Sequence, residues 1–169
     1  MKIIKPLLLA GLLFSSYSFA LSEQVVMHYS GTVVIPPCVV STPSLSVDFG
    51  DIMASTLANS GSATGWKMTT VRLSNCTNVT DIAILINATM STANADYIAS
   101  TGTAQHVAVN ATVGPAGTAV KDGLTLAGIN MAGQSDYSTD FYLQVINDGT
   151  GSATAGSVQS AITLTYAFK

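Results

Sequence analysis

The chain has 169 residues and a formal net charge of −3; only 9% of its residues are charged and 48% are hydrophobic. Its length suits one domain, and it lacks the basic stripe that a nucleic-acid-binding surface needs. Abundant Thr, Ser, Ala, Val and Gly suit β-structure, so the low charge points to extended, packed surfaces and not to disorder.

Residues 1–20, "MKIIKPLLLAGLLFSSYSFA", are predicted to be a signal peptide. Lys2 and Lys5 precede an apolar run from Pro6 to Phe14, and Ser18-Phe19-Ala20 fits the small-x-small cleavage rule. The run is shorter than the roughly 18 apolar residues a membrane anchor requires. Removing this leader takes two of the six basic residues and leaves nine acidic ones, for a net charge of −5 from Leu21 onward.

Short strands separated by turns are predicted from Gln24 on. "QVVMHYSGTVVI" and "PSLSVDFGDI" are extended runs, and "GWKMTTVRLSNC" alternates imperfectly through Met68, Val71 and Leu73. "DIAILINATM" is a nearly continuous buried-strand signal, followed by "AQHVAVNATV", "DFYLQVIND" and the terminal "SVQSAITLTYAFK". "NSGSATG", "STANAD", "STGT", "GPAGTAVKDG" and "NDGTGSATAG" carry turn chemistry between them. Strands at this spacing predict an all-β sandwich of immunoglobulin-like architecture. Trp66, ten residues before Cys76, is the nearest approach to the Trp usually buried between the cysteines of that fold.

Cys38 and Cys76 are the only two cysteines, and an even pair in an exported chain is expected to bridge. The alternative, two buried free thiols, sits less well with export. A bridge of that span would stabilise the fold by roughly 4 kcal/mol in the chain-entropy model.

The residues offer little for catalysis. His28 and His106 sit in no nucleophile-and-base motif and are expected to be ordinary strand residues. Without clustered Cys and His, no metal site is expected, and no cofactor. Asp48 and Asp51 flank Gly50, and Asp136 and Asp140 flank "YST"; such pairs near turns are expected to be solvated or capping, not the carboxylates of a glycosidase. Sequons at Asn75, Asn78, Asn87 and Asn110 are expected from Asn and Thr abundance in turns and strands.

The two ends of the chain after the leader are the most regularly patterned parts. Val25, Met27, Tyr29, Gly31 and Val33 share one face of an extended strand, with Gln24, His28 and Ser30 opposite and Val26 the exception. Val158, Ile162, Leu164, Tyr166 and Phe168 share one face near the end, with Gln159, Ala161, Thr163, Thr165 and Ala167 on the other. Taken alone, each could be an ordinary sandwich strand with one face in the core.

"SGTVVIPPCVV" around Cys38, "VDFGDI", "VRLSNC" leading into Cys76 and "GTAQHVAVNA" together resemble subunits of chaperone-usher fimbriae, most closely the small minor pilins of type 1 fimbriae. The resemblance spans essentially everything after the leader. Such pilins have a Gly fourteen positions from the end and a penultimate aromatic, here Gly156 and Phe168. Tyr is the commoner penultimate residue, and the double Pro of "IPPC" is also a departure.

The resemblance implies an incomplete immunoglobulin-like β-sandwich that lacks its final strand and is completed by a donor strand. It implies three parts: residues 1–20 as signal peptide, 21–34 as an N-terminal donor-strand extension, and 35–169 as the pilin domain. A periplasmic pilus chaperone would lend a strand beside Gly156, Val158, Ile162, Leu164, Tyr166 and Phe168, and its basic residues would bind the carboxylate of Lys169. At the outer-membrane usher the arm of the next subunit would replace that strand. The arm of this chain, with Val25, Met27, Tyr29, Gly31 and Val33, would insert into a neighbouring fimbrial subunit. Gly31 takes the arm position where a side chain would obstruct exchange.

The implied function is therefore a non-enzymatic structural subunit whose partners are proteins alone, with no nucleic acid and no small-molecule substrate, exported through the periplasm to the cell surface in support of adhesion. A minor subunit fits the resemblance best. A major rod pilin of the same system is the alternative, and a stand-alone carbohydrate-binding lectin domain or a secreted hydrolase has less behind it.

Overall fold

A computed structural model describes residues 27, 29–31 and 37–169. The chain divides into two units, Met1–Val34 and Ile35–Lys169. The predicted signal peptide lies outside the described residues, as do Val25, His28 and Val33. In the first unit, Met27 and Tyr29 are exposed, and the Tyr29 hydroxyl donates to the Met27 sulfur at 3.3 Å.

The second unit is all-β. Its strands are β1 (Val39–Val40), β2 (Lys67–Ser74), β3 (Asp81–Ala88), β4 (Ile98–Ala99), β5 (Val107–Val113), β6 (Thr118–Ala119), β7 (Leu124–Asn130), β8 (Tyr137–Asn147) and β9 (Ile162–Phe168), with a 3-10 turn at Ala54–Leu57. One sheet runs β1-β2-β8-β5-β4, with β6 beside β5, and the other runs β7-β3-β9. Every paired strand is antiparallel, so each sheet can turn one face to the core and one to water.

The "DIAILINATM" run forms the centre of the three-stranded sheet. Ile82, Ile84 and Ile86 are 0% exposed, while Leu85 between them faces outward. Their inward face meets Leu73, Val109, Ala111, Val113 and Phe141 from the larger sheet. Full burial of side chains this large contributes roughly 1.5–3 kcal/mol each, and this layer holds the two sheets together.

Cys38 and Cys76 are bonded, and both are buried in this core. The bridge joins the residue just before β1 to the stretch just after β2, so it staples two neighbouring strands of one sheet at one end. Trp66 is 48% exposed and is not the core tryptophan that an immunoglobulin pattern suggests.

Two parts of the chain depart from the sequence reading. β7 lies in a stretch with no predicted strand, because a bulge breaks its alternation: Ile82 pairs with Ile129, but Ile84 pairs with Leu126. Gly128, at φ 70°, supplies the left-handed residue at that irregularity. The run "PSLSVDFGDI", in contrast, forms no strand and joins neither sheet.

Asn147 ends β8 fully buried and fully bonded. Its amide donates to the Leu57 and Gly151 carbonyls, both at 2.7 Å, and its side-chain oxygen accepts from the Gly149 N–H at 2.8 Å. This one side chain ties the 3-10 turn to the "NDGTGSATAG" turn.

Candidate functional site

β9 is the edge strand of the smaller sheet. One side bonds to β3 in the register Ile82↔Phe168, Ile84↔Tyr166, Ile86↔Leu164 and Ala88↔Ile162, and the other has no strand beside it among the described residues. Along that open side runs a groove of about 850 Å³. Its floor is Thr69 and Val71 of β2, Val109 of β5, and Phe141 and Leu143 of β8; Ile162, Leu164 and Tyr166 of β9 form one wall. The opposite wall is Val40 of β1 followed by Pro43, Leu45, Val47 and Phe49, from the stretch that joins neither sheet.

The alternation read in the terminal strand is present in the fold. Ile162, Leu164, Tyr166 and Phe168 are half-buried against the core, while Thr163, Thr165 and Ala167 face water. Half-burial distinguishes this row from the fully buried isoleucines of β3. Four large apolar side chains remain partly in contact with solvent beside an unpaired main-chain edge. An added strand would bury both, which is the physical logic of strand addition.

Gly156 and Val158 belong to the approach to β9 and not to the strand, which begins at Ile162. Here the chain crosses over residues 99–104 instead of pairing with β3. The Thr101 N–H donates to Gln159 O at 2.7 Å, the Ala104 N–H to Ser157 O at 3.1 Å, and the Ser160 hydroxyl to Ala99 O at 2.7 Å. The crossing is so close that two glycines are needed. A Cβ on Gly156 would sit 2.4 Å from the Ala104 nitrogen, and one on Gly102 would sit 2.0 Å from Ser157 O. Gly102, which nothing in the local sequence distinguishes, therefore serves the same crossing as Gly156, the one against Ser157 and the other against Ala104. Together they clasp the β4 edge of one sheet to the approach to β9 in the other.

Tyr166 carries the one buried side-chain polar atom without a hydrogen-bond partner among the described residues, its hydroxyl. Its ring stacks on Phe168 with centroids 6.3 Å apart. Burial, with a smaller contribution from Tyr137, pushes its pKa from the ordinary 10.0 up to about 12. The folded state thus favours the neutral phenol. Its contribution to stability is complete below pH 10 and is lost as pH rises through 10 towards 12. Tyr166→Phe removes a hydroxyl that is desolvated without compensation, and is expected to be neutral or to stabilise by about 1 kcal/mol. It is also expected to flatten the alkaline loss of stability, which thermal melts of both proteins at pH 9 and pH 11 measure directly.

Lys169 extends the β9 ladder. Its N–H donates to Asp81 O at 3.0 Å, and its main-chain oxygen accepts from the Thr80 N–H at 2.7 Å.

The residues considered for catalysis are dispersed. His106 is a turn residue at φ 62°, not a strand residue; it immediately precedes β5, and its Nδ1 lies 2.7 Å from the Thr150 hydroxyl. Asp48 accepts from the Gly50 N–H at 2.8 Å, a local turn. Asp136 accepts from the Ser135 hydroxyl at 2.7 Å. Asp140 lies in mid-strand and accepts from the Thr70 hydroxyl on β2 at 2.6 Å. Among the sequons, Asn75 and Asn78 occupy left-handed positions between β2 and β3, while Asn87 and Asn110 lie within β3 and β5. Among the described residues no group of three His, Cys, Asp or Glu side chains could hold a metal ion.

A two-sheet sandwich whose β9 edge is unpaired among the described residues, with an apolar groove along it, defines an immunoglobulin-like domain with an open edge. The chain belongs to the fimbrial protein family, whose model, described as "Fimbrial protein", matches residues 27–168. It is 30% identical over 166 residues to Protein FimG of Escherichia coli (strain K12), covering 95% of this chain and 94% of that protein. A chain from a structure of a chaperone-usher pilus, solved to explain rod uncoiling, superposes with a TM-score of 0.67 at 17% identity, covering 91% of this chain and 100% of that one. The P pilus rod subunit PapA superposes with a TM-score of 0.62 at 15% identity, over 79% of this chain and 99% of that one. The resemblance read from the sequence is borne out: this is a structural subunit of a chaperone-usher fimbria.

Proposed function

We propose that this chain is a minor subunit of a type 1-like fimbria that polymerises by donor-strand exchange. The observation that carries the reading is the groove, where the free edge of β9 and the partly solvated row Ile162, Leu164, Tyr166 and Phe168 lie beside an apolar floor. A periplasmic chaperone fills it first, and at the outer-membrane usher the N-terminal arm of another subunit takes its place. The arm of this chain, residues 21–34, enters a neighbour in turn. Met27 and Tyr29, at 68% and 86% exposed, are apolar side chains that such an insertion would bury. Export through the periplasm follows removal of residues 1–20, and the assembled fibre stands at the cell surface. The minor role rests on the resemblance to type 1 minor pilins and on the match across nearly all of FimG.

The chain from Leu21 onward is expected to self-associate when purified alone. With residues 24–34 appended after Lys169 through a short flexible linker, it is expected to become a stable monomer. A stable monomer without any added strand would overturn strand acceptance. Mass spectrometry of purified fimbriae tests the minor role: few copies per fibre are expected, and a copy number equal to that of the most abundant subunit would assign it to the rod.

A further inference from the structure

The two walls of the groove differ in how they are held. β9 is bonded along its length to β3. The opposite wall, residues 43–49, makes no main-chain hydrogen bond to any strand among the described residues. It is tethered at one end where the Ser41 N–H donates to Arg72 O at 2.9 Å and the Arg72 N–H donates to the Thr42 hydroxyl oxygen at 3.1 Å. Between that end and the 3-10 turn its polar anchor is Lys67, beside the packing of Phe49 and Ile52 on the core. The Lys67 ammonium donates to the Asp48 carbonyl and lies over the Phe49 ring, 5.6 Å from its centroid.

Lys67 is an unusual residue for its place. It opens β2 on the side shared by Thr69, Val71 and Leu73, two of which floor the groove while the third is buried. A cation there, at the head of an apolar row, is explained by what it holds. Phe49 lines the groove and also packs with Leu57, Ala104, Val107 and Val145, so fixing Asp48 and Phe49 fixes where the wall meets the core. A charge-assisted bond to a carbonyl and a cation over a ring are both modest, because the ammonium is exposed. Together with the packing of Phe49 they hold a segment that makes no main-chain bond to a strand.

We infer that Lys67 is a positioning residue for strand capture, holding residues 43–49 as the second edge against which an incoming strand is clamped. This rests on the strand-acceptance reading above. A strand bonded only to β9 can peel away from its open side, whereas one held between two placed walls must displace both.

The test uses the chain from Leu21, refolded with a synthetic peptide of residues 24–34, and compares wild type with Lys67→Met and Lys67→Arg. Methionine keeps an apolar stem and loses the donor and the charge; arginine keeps both. The expected result is peptide release about five- to tenfold faster from Lys67→Met, with faster proteolytic cleavage within residues 44–49 while β3 and β9 stay intact. Lys67→Arg is expected to reverse both. If Lys67→Met does not refold, Phe49→Leu, which removes the ring under the cation, is expected to give the same faster local cleavage. Unchanged release and cleavage in Lys67→Met, or faster release without faster cleavage within residues 44–49, would overturn the inference and leave strand acceptance standing. Failure of the wild-type chain to retain the peptide at all would overturn both.

Discussion

Alanine at Gly156 or Gly102 is expected to lower the unfolding free energy of the strand-complemented chain by about 3 kcal/mol or more, as overpacking against rigid backbone does. The atoms that each new methyl would meet are main-chain atoms: the Ala104 nitrogen at 2.4 Å from a Cβ on Gly156, and Ser157 O at 2.0 Å from one on Gly102. Neither can rotate away as the end of a flexible side chain could. The crossing itself must open, losing the Ala104-to-Ser157 and Thr101-to-Gln159 bonds that depend on it. Because each substitution breaks the same clasp, the double variant is expected to fall well short of the sum of the two, the mark of residues sharing one contact. Gly65 provides a control, since a Cβ there would meet nothing within 4 Å. Urea denaturation measures the series, with a shifted midpoint and an unchanged slope expected for the clasp variants. A Gly156→Ala midpoint equal to that of Gly65→Ala would show that the clasp contributes nothing.

Loss of the disulfide is expected to cost about 4 kcal/mol, from the chain entropy released when a 38-residue separation is no longer closed. Cys38→Ala with Cys76→Ala is the suitable variant, because both positions are buried and serine would add an unsatisfied hydroxyl to the core. The local consequence is as informative as the total. β1 has only two residues, paired as Val39↔Ser74 and Val40↔Leu73, and the groove wall follows directly from it. Without the bridge, amide exchange is expected to rise first in β1 and at Ser41, whose N–H donates to Arg72 O, while the Ile82, Ile84 and Ile86 layer of β3 keeps its protection. A variant within about 1 kcal/mol of wild type would mean that β1 is held by its packing alone.

Much of the fold was legible because the sequence alternates wherever one face of a strand is buried. The predicted runs holding β2, β3, β5, β8 and β9 all contain strands. The cysteine pair was legible by count, since two cysteines allow one bridge. β7 was not, because Gly128 and the bulge shift its inward residues from even to odd positions between Leu126 and Ile129. His106 read as a strand residue because local composition does not reveal a left-handed backbone.

The site divides in the same way. The apolar row Ile162, Leu164, Tyr166 and Phe168 and its polar opposite face are local properties, set by the two-residue repeat of an extended chain, and so the sequence by itself determined them. That β9 has a partner on one side only among the described residues, that residues 43–49 stand across from it unpaired, and that Gly102 meets Ser157 while Gly156 meets Ala104 were decided by tertiary structure alone. Each depends on which segments lie side by side after folding, and residues 54 positions apart in the chain carry no local sign that their backbones will touch.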